Sequence, residues 1–536
     1  MMPRLVICLC LSVAAWGQAG ESAGNTKSAS PATAAVATNA TAADPLTSAQ
    51  ALFKKGNFEE AATAFKALVE KTPDSAEAQS GLVRSLLRAR KFDEAEAAAR
   101  KATSALPSSA LVQAAAEDVF FRAGKLGEAE AAYRAAVKAD ANSARGVFGI
   151  GRIYDMVSMH KRARDTFARA HELDPSDGQI YDHWLDLMTP AEQLAAVKKH
   201  AGENPVGFEA ERLKYLTAIT SKKPWAMSTE VKPMDIKVQP YGKEQTGVYD
   251  INRSGPLTIS KGYGLQVKFN DRASAVLLLD TGASGITIGR KLAEKAGAVK
   301  IADTFIGGIG DQGPIRSYLA WIDKVDVGGV EFHDCVVIVS SKNSVADEAG
   351  LIGADVFDKF LVTLDFKNWH VQLAPLPKNP AAPADDDIAQ DRFIAPEMQS
   401  FTKFFRFGHD IVVPVVVNDK AVGNFILDTG ADLNTMSPEF AAQVTTARDD
   451  HDYTMKGVSG KVSQVLTGQK AILQFANMRI ESHDLPVFTT YGASASAGTE
   501  IAGFIGIRTL VQMKMSIDYR DGLVKLEVYE FKKARE

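Results

Sequence analysis

The sequence predicts a multidomain protein in which an all-α helical-repeat solenoid is followed by two mainly-β lobes. Three observations carry this. From about Leu46, small, aromatic and proline residues recur with a period of 34 residues. An apolar run ending in Asp-Thr-Gly-Ala occurs twice, in Ala275–Gly285 (A-V-L-L-L-D-T-G-A-S-G) and Gly423–Asp432 (G-N-F-I-L-D-T-G-A-D). The stretches that follow these two runs then repeat each other's landmarks in one order, as a duplicated domain would.

At 536 residues the chain has room for several domains, and 46% hydrophobic with 24% charged residues is ordinary globular composition. A net charge of −4 gives no ground for a nucleic-acid partner or an anionic membrane surface. Residues 1–17 read as a secretory leader, with Arg4 as the basic region, Leu5–Ala15 as the apolar region and Ala15-Trp16-Gly17 as the cleavage site. The apolar run is too short for a stable membrane span, so the expected location is exported, periplasmic or secreted, in a bacterial source. Once the leader is removed Cys335 is the only cysteine, so no intramolecular disulfide can form and the thiol is expected buried in an apolar strand. Residues 18–45 are rich in Ala, Ser and Thr and read as a disordered linker.

The repeat region spans residues 46–204. Gly56, Arg90, Gly124 and Ser158 stand in register, as do Ala61, Ala95, Ala129 and Ala163, and then Phe65, Ala99, Tyr133 and Phe167. Pro73, Pro107 and Pro175 close three of the four units. This pattern resembles the tetratricopeptide repeat, a helix-turn-helix unit of which about three are needed for a stable stack. The usual Trp of the first helix is missing, and Asp177–Glu203 is expected to supply capping helices. The resemblance implies a groove for a protein partner, and a spacer role is the plainer alternative. Pro205–Lys232 reads as transitional.

The lobes are expected at 234–377 and 401–531, joined by a linker at 378–400 that contains the acidic run Asp385-Asp386-Asp387, read as solvated. Both lobes carry, after the Asp-Thr-Gly-Ala run, a G-x-x-G segment (Gly307, Gly308 and Gly310; Gly457 and Gly460), then E-F-H-D-C-V-V against E-S-H-D-L-P-V, then G-L-I-G against G-F-I-G, then a closing hairpin around Asp365 or Asp518. His333-Asp334 and His483-Asp484 sit at turn-like spots and read as structural.

Burying Asp280 or Asp428 at the end of an apolar strand is costly unless its charge is shared or hydrogen-bonded, and a chain that does so twice is expected to bring the two carboxyls together. One Asp-Thr-Gly would arise by chance in about one chain in ten of this length; two, each inside apolar-Leu-Asp-Thr-Gly-Ala, are far more specific. The lobes resemble retropepsin-like aspartic proteases. The resemblance implies a water-activating dyad of Asp280 and Asp428, hydroxyls of Thr281 and Thr429 locking the two loops together, and Gly282 and Gly430 allowing the tight turn. It also implies mobile flaps at the two G-x-x-G segments, closing over an extended polypeptide substrate, with Ser284 and Asp432 beside that substrate. In the family an acid at the position of Asp432 pairs with an Arg just after the later glycine; Arg508 follows Gly506 by two positions, a departure that argues against the pairing.

No metal or other cofactor is called for. There is no H-E-x-x-H, no G-x-S-x-G and no phosphate-cradling loop, and His451 in D-D-H-D reads as a solvated loop. The rival to an endopeptidase is a peptide- or protein-binding adaptor whose protease-like lobes are inactive. A further alternative pairs like lobes between two chains.

Overall fold

The computed structural model describes residues 5–9, 13–14, 44–202, 205–241, 244–250, 255–259, 262–341, 349–380, 390–449 and 453–529. The cleavage site of the expected leader, most of the following linker, the acidic run at 385–387, His451 and the C-terminal tail lie outside the described residues. Two compact units are formed, one of residues 17–154 and 162–184, the other of 1–16, 155–161 and 185–536.

Among the described residues, paired helices run α1 (Pro45–Lys54), α2 (Phe58–Lys71), α3 (Ala76–Arg88), α4 (Phe92–Ala105), α5 (Ala110–Arg122), α6 (Leu126–Ala139), α7 (Ala144–Met156) and α8 (His160–Leu173). The 34-residue period has a direct backbone cause. Gly56, Arg90, Gly124 and Ser158 each take positive φ, at 82°, 61°, 73° and 57°. Each therefore supplies the left-handed residue that ends one helix and turns the chain into its mate. Ala61, Ala95, Ala129 and Ala163 are fully buried, which lets paired helices approach closely. The aromatics fill the space between neighbours: a β-carbon at Gly81 would meet the Phe65 ring at 2.3 Å, and one at Gly149 the Tyr133 ring at 1.7 Å. The stretch expected to cap the stack holds two helices, α9 (Gly178–Asp186) and α10 (Pro190–Ala201), the latter begun by a Thr189–Glu192 capping box and lying in the second unit.

The stretch read as transitional contains a helix, α11 (Gly207–Thr220), which belongs to the second unit and buries Leu216 and Ile219. Glu211 accepts the Asp303 N–H at 2.6 Å, anchoring α11 to the strand Val299–Gly307.

The two lobes repeat one another strand for strand at their centres. In the first, Gly350–Gly353 runs parallel to Leu278–Asp280 and antiparallel to Ile286–Ile288. In the second, Gly503–Ile505 runs parallel to Phe425–Leu427 and antiparallel to Thr435–Met436. The leading glycines are obligatory by close approach: a β-carbon at Gly350 would sit 2.2 Å from the Thr287 carbonyl oxygen, and one at Gly503 2.0 Å from that of Thr435. The closing hairpins do not stay within their lobes. They join in one sheet ordered Thr402–Lys403, Leu523–Val528, Met513–Asp518, Phe360–Asp365, His370–Pro375 and Met234–Lys237. Its central ladder pairs Val362 with Ile517 and Leu364 with Met515, so the lobes of a single chain are stitched to each other.

The core is continuous across this sheet, with Phe360, Leu364, Met515 and Ile517 fully buried beside Leu279 and Leu427. Cys335 is buried and free. The C-terminal part of the inter-lobe linker is not solvated: Ala395 and Met398 pack on Leu523, and the Phe393 N–H donates to Asp521 at 2.7 Å.

Candidate active site

Each apolar strand delivers its aspartate to the interface between lobes. Asp280 and Asp428 are fully buried. Asp280 accepts the Gly282 N–H at 2.8 Å, and Asp428 accepts those of Gly430 at 2.8 Å and Ala431 at 3.1 Å. The turn folds so tightly that each glycine lies against the other lobe's acid. A β-carbon at Gly282 would come 2.8 Å from the Asp428 carboxyl carbon, and one at Gly430 2.4 Å from that of Asp280. Only residues without side chains let the two loops meet in this way.

The threonines interlock symmetrically. The Thr281 hydroxyl donates to the Leu427 carbonyl at 2.7 Å and accepts the Thr429 N–H at 3.0 Å. The Thr429 hydroxyl donates to the Leu279 carbonyl at 2.9 Å and accepts the Thr281 N–H at 3.0 Å. All four bonds cross the lobe interface in buried surroundings, so they fix the separation of the acids.

Burial pushes the Asp428 carboxyl up to about 6, against the lowering effect of its hydrogen bonds with Asp280, Gly430 and Ala431; the nearby charge of Asp410 raises it further. The pair is thus suited to hold one proton between two carboxyls in mildly acid conditions.

Ser284 and Asp432 occupy equivalent places with different partners. Ser284 donates to Asp355 at 2.8 Å, and the Gly285 N–H donates to the same carboxylate at 2.9 Å. Asp432 takes a two-pronged contact from Arg508, at 2.9 Å from Nε and 2.7 Å from the terminal nitrogen. The two-residue offset from Gly506 therefore does not prevent the pairing, because the short helix Ile507–Leu510 turns Arg508 back toward the loop. Asp355 stands two residues after Gly353, the same offset, so alignment of the two halves contained the signal for both partners.

Of the glycines in the two G-x-x-G segments, Gly307 ends the strand Val299–Gly307, where it pairs with Val13, and among the described residues a β-carbon on it would meet nothing within 4 Å, while Gly457 pairs with Gly460 inside one hairpin. The contacts between hairpins fall at the tips. The Ser459 N–H donates to Ile309 at 3.1 Å, the Gln312 N–H to Ser459 at 3.0 Å and the Asp311 N–H to Lys461 at 3.1 Å. The tips of the two lobes are thus bonded to each other. His333 and His483 are each bonded to a glutamate two residues earlier (Glu331, Glu481), while Asp334 and Asp484 take φ of 51° at their turns.

Sequence reasoning gave no role to the partly buried His409 or to the buried Asp410 and Tyr519, which lie beside the first loop. No group of acidic, histidine or cysteine side chains suited to hold a metal ion occurs among the described residues, and no helix among them is long and apolar enough to cross a membrane.

Comparison with known proteins assigns the two architectures. Residues 265–356 and 413–509 match the model of an aspartyl protease family, and residues 46–110 and 118–178 that of the tetratricopeptide repeat. The chain therefore carries an aspartyl protease domain in two segments behind an N-terminal run of tetratricopeptide repeats. Solved structures similar to part of the chain include a thermophilic tetratricopeptide protein of Thermus thermophilus (18% identity, 32% of this chain and 97% of that one, TM-score 0.29). Others are pilF of Pseudomonas aeruginosa (15% identity, 33% and 83%, TM-score 0.27) and MamA (16% identity, 33% and 95%, TM-score 0.22). No curated protein matches the chain.

Proposed function

We propose that this protein is an exported aspartic endopeptidase that hydrolyses peptide bonds with water activated between Asp280 and Asp428, its repeat domain recruiting a partner or the substrate. The observation that carries the reading is the pair of buried carboxyls held against each other by the four cross-lobe bonds that Thr281 and Thr429 make with each other and with the carbonyls of Leu427 and Leu279. Nothing about a merely structural lobe calls for two buried acids at one interface.

In this mechanism the ionised carboxyl of the pair takes a proton from a water, whose oxygen attacks the scissile carbonyl carbon. The protonated carboxyl gives its proton to the carbonyl oxygen, so the tetrahedral intermediate is neutral. Collapse of that intermediate breaks the C–N bond as the first carboxyl gives its proton to the leaving nitrogen and the second takes one back from a hydroxyl of the intermediate, so that the pair again holds one proton. The dyad titrates as a unit. The bonded tips Ile309–Gln312 and Ser459–Lys461 would exclude bulk water while an extended polypeptide lies beneath them, held mainly through its backbone.

The test is cleavage of a diverse peptide library by the mature protein between pH 3 and 8, beside Asp280→Asn and Asp428→Asn. Loss of cleavage in each single variant, with folding intact, supports one shared dyad. Full activity in either variant sinks the assignment. The leader and the location are tested by fractionation and by N-terminal sequencing of the mature chain, with a new terminus after Gly17 as the expected result.

A further inference from the structure

The loop that carries Asp280 is held from outside its own lobe by a group the mechanism above does not use. His409 sits in the turn between Phe405–Phe407 and Asp410–Val417 of the second lobe. Its Nε2 lies 3.1 Å from the carbonyl oxygen of Gly282 and 3.3 Å from a carboxyl oxygen of Asp410. A carbonyl only accepts, so Nε2 carries the proton and donates. Gly282 is at the same time the residue whose N–H donates to Asp280. The imidazole thus clamps the peptide group immediately beyond the one that orients the first acid.

The clamp is itself built in. Side-chain exposure is 9% for His409 and 3% for Asp410, so neither is a surface group that happened to find a partner. Arg406 fixes the turn, donating to the Gly408 carbonyl at 2.8 Å and to that of Tyr519 at 2.8 Å. The titratable and charged groups facing Asp410 are His409, Asp355 and the dyad acid Asp428, with Arg406 and Asp280 joining it around the buried Tyr519.

We propose that His409, backed by the buried Asp410, is a positioning residue that holds the Gly282 peptide in the geometry the Asp280 carboxyl requires. This rests on the proteolytic reading. It goes beyond the dyad, because it predicts that two residues of the second lobe, outside both Asp-Thr-Gly loops, govern turnover and its pH limits. Asp410 is pushed up to about 6, first by burial, and its charge in turn raises Asp428. Removing that charge therefore makes the last dyad proton easier to lose.

The experiment compares full-length wild type with His409→Leu, His409→Gln and Asp410→Asn, reading kcat and KM on one cleaved peptide from pH 3 to 8. His409→Leu keeps the bulk without a donor and is expected to lower kcat by tenfold or more with KM changed less than about threefold. His409→Gln places an N–H near the same spot and should recover most of that loss. Asp410→Asn should move the alkaline limb of kcat/KM to lower pH. Equal activity in His409→Leu, or no recovery in His409→Gln at matched folded fraction, overturns the positioning role. Wild type that cuts nothing fails the proteolytic reading itself, which is a different result.

Discussion

At the scale of single residues the threonine pair makes the strongest energetic claim. Thr281→Val would strand the Leu427 carbonyl and the Thr429 N–H in a dry interface, each costing about 1–3 kcal/mol when left unpaired. The expected result is a loss of about 2–6 kcal/mol in urea-unfolding free energy, with cleavage reduced in the protein that remains folded. Thr281→Ser keeps the hydroxyl and should recover most of both. A Val variant as stable as wild type would mean the bonds contribute nothing net. These residues were legible in the sequence because their motif is short, contiguous and repeated. The Arg508–Asp432 contact was misjudged, since an offset counted along the chain says nothing about the helical turn at Ile507–Leu510 that swings the guanidinium back.

The flap tips raise the question at the scale of elements. Gly310 has φ of 135°, and a β-carbon there would lie 2.3 Å from the Ser459 backbone of the facing lobe. Gly460, at φ of 93°, would instead meet the side chain of Gln312, which can move aside. Gly310→Ala is therefore expected to hold the tips apart and raise KM about tenfold, with some loss of stability as well, since Ile309 and Val458 of the two tips are packed in buried apolar clusters. Gly460→Ala should raise KM less, and steady-state kinetics on one peptide ranks the two. A larger effect at Gly460 would refute the role given to the tip contact. What sequence periodicity supplied at this scale was the repeat turns, because one backbone requirement, positive φ at Gly56, Arg90, Gly124 and Ser158, recurs every 34 residues. It missed α11, where no repeat or cap signal marks the helix and burial of Leu216 and Ile219 decides it. It also missed His409, which stands outside every motif and acquires its partner only when the second lobe folds against the first.

For the whole molecule, the balance of buried acids sets a pH dependence that no motif announces. Asp410 and Asp428 are pushed up to about 6 and Asp518 to about 7, in each case first by burial. An ordinary unfolded carboxyl titrates near 4, so between pH 4 and 7 the folded chain binds more protons than the unfolded one. The contribution of these groups is whole below pH 4 and is lost as pH rises through 6 to 7. Asp365 acts in the opposite sense: burial alone would raise it, but hydrogen bonds from Tyr529 and Asn368 and the charge of Lys514 outweigh this and lower it, so its contribution is lost only on strong acidification. Stability is therefore expected to be greatest near pH 4 and to fall as pH rises from 4 to about 7. Asp518 isolates the effect, because it lies outside both Asp-Thr-Gly loops at the end of the sheet that joins the lobes, with Asp521 as its second source of upward shift. Asp518→Asn imitates the neutral carboxyl. It should leave the unfolding free energy within about 1 kcal/mol of wild type below pH 4 and raise it by on the order of 1–4 kcal/mol at pH 8. A pH-independent effect of this substitution would show that Asp518 stays charged in the fold, and the mild-acid optimum would then have to come from the dyad and Asp410 alone.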